Sequence, residues 1–91
     1  MTFLMKAEEV FEVSGRGAVL VLPKDWGGTD LKIKAGEKIQ LRTSDGRVLD
    51  TRIHAIEFVK GDEGCQAAIM LPPEIRRSEL SAQTEIWLSE R

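Results

Sequence analysis

Cys65 and His54, the single cysteine and the single histidine of the chain, are the only pair with the nucleophile-and-base character of thiol chemistry. A working dyad needs their strands to be neighbours and a nearby charge that depresses the thiol pKa. Nothing in their spacing supplies either, and a lone cysteine in a globular chain is more often a small core hydrophobe. A metal centre needs three or four converging ligands. One His and one Cys, with carboxylates scattered along strand faces, give no such spacing. The expectation is a chain without catalytic, cofactor-binding or metal-binding residues, in which His54 is a sheet-surface or partner-facing side chain.

Recognition chemistry is better represented. Trp26 lies in Pro23-Lys24-Asp25-Trp26-Gly27-Gly28-Thr29-Asp30, whose proline, paired glycines and turn formers read as an exposed loop. A loop tryptophan is either an interface anchor or a lid folded back over the core. Charge is uneven: residues 31 to 54 carry six basic side chains against three acidic ones, while the whole chain has a net charge of -2. Lys32 and Lys34, then Lys38 and Arg42, fall on the polar faces of consecutive predicted strands, so a basic strip is expected that meets phosphate or an acidic partner. No aromatic stacking platform lies beside that strip in sequence. Trp87, between Ile86 and Leu88, reads as core or strand-edge packing. The candidate partner-binding residues are therefore Trp26, Lys32, Lys34, Lys38, Arg42, Arg52 and His54.

The elements that must position them follow from glycine punctuation. Eight glycines cut the 91 residues into short apolar or alternating runs of strand length: Ala7 to Val13, Ala18 to Leu22, Leu31 to Lys34, Lys38 to Thr43, Arg47 to Phe58, Gln66 to Leu71 and Thr84 to Leu88. Ile39 and Leu41 alternate with Lys38, Gln40 and Arg42, the period of a half-buried strand. Ser44-Asp45-Gly46 then supplies a hairpin turn into the next strand, which is expected to bend near Ala55-Ile56, where its apolar face changes over. The segment from Pro72 to Leu80 opens on two prolines that cannot join a ladder and spaces Ile75 and Leu80 for one short helical turn near 73–80. At 10.2 kDa the chain has room for a single domain over 1–91. Without disulfides, a chain this small is best served by a sheet with no exposed edges. The expected fold is all-β: a small closed antiparallel β-barrel of Greek-key type with about six to seven strands.

The residues also resemble a known module, the translation-protein β-barrel that forms the second domain of elongation factor Tu and related translational GTPases. Val10 to Val19, with Gly15-Arg16-Gly17 at its centre, resembles that family's strand, Gly-Arg-Gly turn and returning strand. Ile33-Lys34-Ala35-Gly36-Glu37-Lys38-Ile39 resembles its Ile-Lys-x-Gly-Asp/Glu turn, and Thr51 to Glu57 its Thr-x-Val-x-x-Ile-Glu strand. Glu63 to Leu71, containing Gly64, and Ile75 to Leu80 are similar to the two segments that follow. On this reading Gly15, Arg16, Gly17, Gly36 and Gly64 are fold-determining turn residues, the glycines permitting positive φ or a close backbone approach. The chain departs from the family around Trp26, where it carries an insertion, at Cys65, which replaces an acidic residue, and at Gln83, which replaces a late glycine.

The resemblance implies a stand-alone, non-enzymatic binding module that contacts a protein or RNA partner of the translation machinery. No Gly-x-x-x-x-Gly-Lys-Ser/Thr motif occurs in the sequence, so this chain alone is expected to bind no GTP. One alternative is a regulatory or immunity-type protein that uses the barrel as a scaffold for one protein partner. Another is a small thiol enzyme using Cys65. No apolar run approaches the roughly 20 residues of a membrane span, and Glu8 and Glu9 come too early for a secretory leader. The cytoplasm is the expected compartment, with no membrane partner.

Overall fold

Alternating apolar residues and turn chemistry resolve into eight strands among the described residues, which are 1–23, 33–61 and 64–89 of the computed structural model. The strands are β1 (Thr2–Lys6), β2 (Glu9–Val13), β3 (Gly17–Val21), β4 (Lys38–Arg42), β5 (Val48–Arg52), β6 (Ala55–Gly61), β7 (Gly64–Met70) and β8 (Glu85–Leu88). Arg77–Glu79 form a 3₁₀ turn within the segment where a helical turn is expected. All pairings are antiparallel, in two four-stranded sheets of order β1-β8-β4-β5 and β2-β3-β7-β6.

The all-β expectation stands, but among the described residues neither sheet closes on itself into the expected barrel. The physical reason lies at two corners, where consecutive backbone amides turn to different sheets. Ala7 N–H donates to the Thr84 carbonyl at 2.8 Å, and Glu8 N–H donates to Val21 at 2.8 Å. Likewise Ile53 N–H donates to the Glu37 carbonyl at 2.9 Å, and His54 N–H to Met70 at 2.9 Å. Each corner interrupts its ladder, so one bent segment supplies β1 and β2 and another supplies β5 and β6. The expected bend at Ala55-Ile56 is therefore found slightly earlier, at Ile53-His54.

Between the sheets lies one core. Met5, Ile39, Leu41 and Ile86 enter it from the first sheet, and Val10, Ala18, Leu20, Ala67 and Ile69 from the second, all buried. Each fully buried Leu or Ile contributes about 1.5–3 kcal/mol. The second sheet is apolar on its outer face as well, where Val19, Ala68 and Met70 are buried against Phe11, Val13 and Ala55. Arg16 of the β2–β3 turn reaches Glu57 on β6, the opposite edge strand, at 2.9 Å.

Two differences from the sequence reading shape the first sheet. β1 was not among the expected strands. Its register shifts between Phe3 and Met5, so Leu4 and Met5 both pack on the core, and the period of two is lost. Residues 33 and 34, by contrast, are not in a strand. Lys34 and Glu37 instead bracket a turn in which Glu37 N–H donates to the Lys34 carbonyl at 3.3 Å.

Gly17 shows what the Gly-Arg-Gly turn requires. Its φ is +112°, and a Cβ there would meet the Leu71 carbonyl oxygen at 3.2 Å and Pro73 Cα at 3.3 Å. A side chain would be both strained and crowded against backbone. Gly15 and Gly36 have φ of 76° and 94° in open surroundings, and Gly64 opens β7 opposite Gly61.

Candidate functional site

The outer face of the first sheet is built by parity. Because Ile39, Leu41 and Ile86 point into the core at 0% exposure, their neighbours Lys38, Gln40, Arg42, Glu85 and Trp87 point outward. Register then aligns side chains from four strands into rows. Phe3 pairs with Trp87, Trp87 with Gln40, and Gln40 with Asp50, one row across the whole sheet. Beside it Lys6, Glu85, Arg42 and Val48 form a second row. Lys38 and Arg52 pair directly on the other side.

Contacts along the first row form a connected network. The Phe3 and Trp87 rings meet edge-on, with centroids 5.2 Å apart and planes at 65°, a favoured aromatic geometry. The Arg42 guanidinium lies over the Trp87 ring, 4.1 Å from its centroid. Its Nε donates to Gln40 Oε1 at 2.7 Å, and Gln40 Nε2 donates to Asp50 Oδ1 at 3.0 Å. Trp87 Nε1 donates to Glu85 Oε1 at 3.0 Å. Arg42 also approaches the Met1 thioether, Nη2 to Sδ at 3.6 Å. A cation–π contact is worth about 0.5–1 kcal/mol at an exposed site and about 2 kcal/mol when desolvated, and the half-buried Arg42 and Trp87 lie between those limits.

Lys38 and Arg52 are both exposed and directly opposed. Like charges in that relation are destabilising. Among the described residues neither has a carboxylate partner within ion-pair distance. Two hollows flank this pair. One of about 510 Å³ is lined by Lys34, Glu37, Lys38, Leu88 and Ser89 among others, and one of about 400 Å³ by Lys38, Asp50, Arg52 and Ser89 among others. Lys34, exposed in its turn, thus continues the cationic edge beyond the sheet.

Of the expected strip, Lys38 and Arg52 are paired on the outer face, Lys34 lines the hollow beside Lys38, and Arg42 stands on the same face four residues along β4. His54 is exposed but sits at the corner leading to the second sheet. Arg47 faces Asp45 at 3.6 Å within the β4–β5 turn. Trp26, Lys32 and the Cys65 side chain lie outside the described residues. Gly15, Arg16 and Gly17 belong to the β2–β3 turn of the other sheet. Among the described residues no group of three His, Cys, Asp or Glu side chains converges as metal ligands would, and no helix is long and apolar enough to cross a membrane.

Phe3 and Trp87 were missed as site residues, and with them the aromatic platform beside the basic strip. The strip has such neighbours in space because β8 lies between β1 and β4. A signal existed in Glu85-Ile86-Trp87-Leu88, where strand parity puts Trp87 opposite in sense to Ile86. The apolar character of all three last residues concealed it. Comparison with protein-family models, with curated proteins and with solved structures finds no match to this chain, so the chemistry of this surface is what bears on its role.

Proposed function

We propose that this chain is a non-enzymatic recognition module that binds an RNA partner of the translation machinery on the outer face of the β1-β8-β4-β5 sheet. The observation that carries this reading is the row of Phe3 and Trp87 set beside Lys38, Arg42 and Arg52. Cations that neutralise phosphates release counterions, and aromatic rings offer stacking worth about 1–3 kcal/mol per base. The net charge of -2 makes binding local to this face. The motif resemblance to the second domain of translational GTPases supports the same class of partner. Strands shared at the two corners support reading the sheets as an opened form of that family's barrel, working in the cytoplasm.

A protein partner is the second reading, favoured by exposed apolar side chains on the same face, Phe3 at 45% and Val48 at 56%. Salt separates the two. With Lys38 and Arg52 sharing one phosphate and Arg42 meeting another, the logarithm of RNA affinity should fall against the logarithm of salt concentration with a slope of about -1.4. Fluorescence anisotropy of labelled RNA from low to physiological salt measures it. A partner captured from cytoplasm with equal efficiency after RNase treatment and in high salt would establish the protein reading instead.

A further inference from the structure

We infer that the sheet face is selective for single strands: a base takes the place of the Arg42 guanidinium on Trp87, and a neighbouring phosphate settles between Lys38 and Arg52. This inference rests on the sheet face being the RNA surface, and goes on to assign the kind of RNA and the atoms that hold it.

Three observations lead there. A flat group already occupies the ring, since the guanidinium centre stands 4.1 Å from the Trp87 centroid. A ring face that a guanidinium can reach at that distance can also be reached by a nucleobase. Next, nothing that holds Arg42 there is charged. Its other contacts are a neutral amide oxygen on Gln40 and a thioether on Met1, and among the described residues it has no ion pair. Base stacking, about 1–3 kcal/mol per base, is of at least the same size as the contact it replaces, and the released guanidinium is a phosphate ligand in its own right. Last, the Lys38–Arg52 pair lies one inward-outward repeat along the strands from the Trp87–Gln40–Asp50 row. That is a step of about 6.8 Å. Two opposed cations with no ion pair among the described residues are relieved by an anion between them. A duplex presents phosphates but keeps its bases paired and stacked inside, so it cannot reach the ring.

The test follows the Trp87 indole N–H resonance by NMR, with a Trp26→Phe variant to assign it, while a short oligouridylate, an RNA duplex or inorganic polyphosphate is added. The expected result is a shift of the Trp87 resonance with the oligouridylate alone, which also binds about ten-fold tighter than the other two. Trp87→Leu should remove that preference and leave polyphosphate binding intact. Lys38→Ala should weaken all three ligands while the Trp87 shift survives at saturating oligouridylate. Arg42→Ala should also keep the shift, because the guanidinium is only the outgoing occupant. If oligouridylate and polyphosphate bind equally and Trp87 does not move, the stacking inference fails and the cationic face remains. If none of the three binds, both fall.

Discussion

Glu12 shows how a single exposed carboxylate can tie two elements together. It stands on β2 and accepts hydrogen bonds from the Arg77 backbone N–H at 3.2 Å and from Arg76 Nη2 at 3.3 Å, so it holds the 3₁₀ turn against the second sheet. The Arg77 amide first, and the Arg76 side chain after it, hold the carboxyl below its ordinary value of 4.5. A carboxylate whose pKa is lower in the folded state contributes stability that is complete above the unfolded value and is lost as pH falls through the folded one. Melting temperature should therefore drop more for the natural chain than for Glu12→Gln as pH is lowered from neutral through the range below 4.5. Circular dichroism melts of the two proteins across that range measure the difference. Equal drops would mean that the tether does not persist in solution.

At the scale of the element, the β4–β5 hairpin places two cations opposite each other where natural pairing would favour opposite charge. Arg52→Glu would set a carboxylate across from Lys38 and should raise hairpin stability by about 0.2–1 kcal/mol. The same substitution should weaken RNA binding, since one phosphate contact becomes a repulsion. Thermal melts and anisotropy titrations on the same sample read both effects. A variant that loses stability would refute the opposed-cation geometry, and one that gains stability but binds RNA unchanged would remove Arg52 from the surface. This hairpin was also the most legible part of the sequence, because Ile39 and Leu41 alternate cleanly with Lys38, Gln40 and Arg42 and a glycine-bearing turn follows. β1 was illegible for the opposite reason, its bulge setting Leu4 and Met5 on one face. The binding surface was half legible. Its cations stand close together in the sequence, whereas its aromatics arrive from residues 3 and 87 through strand order, which local pattern does not encode.

For the whole molecule, the corners decide whether two sheets behave as one body. Ile53 is the residue on which this turns: its amide donates to Glu37 at 2.9 Å, its carbonyl accepts from Gly36 at 2.7 Å, and its side chain is fully buried. The next amide, that of His54, already belongs to the second sheet. Since the bent segments 2–13 and 48–61 each run through both sheets, neither sheet can melt without pulling strands from the other's core. Ile53→Ala deletes buried volume at that joint and should cost about 2–5 kcal/mol, a large share of the roughly 5–15 kcal/mol that a domain has in total. Hydrogen exchange of β4 and β7 amides, central strands of the two sheets, should then accelerate by the same factor in the variant. Faster exchange in β4 with β7 unchanged would mean two independently stable sheets. In that event the surface on the first sheet would owe nothing to the second, and a chain of this size would be holding two cores instead of one.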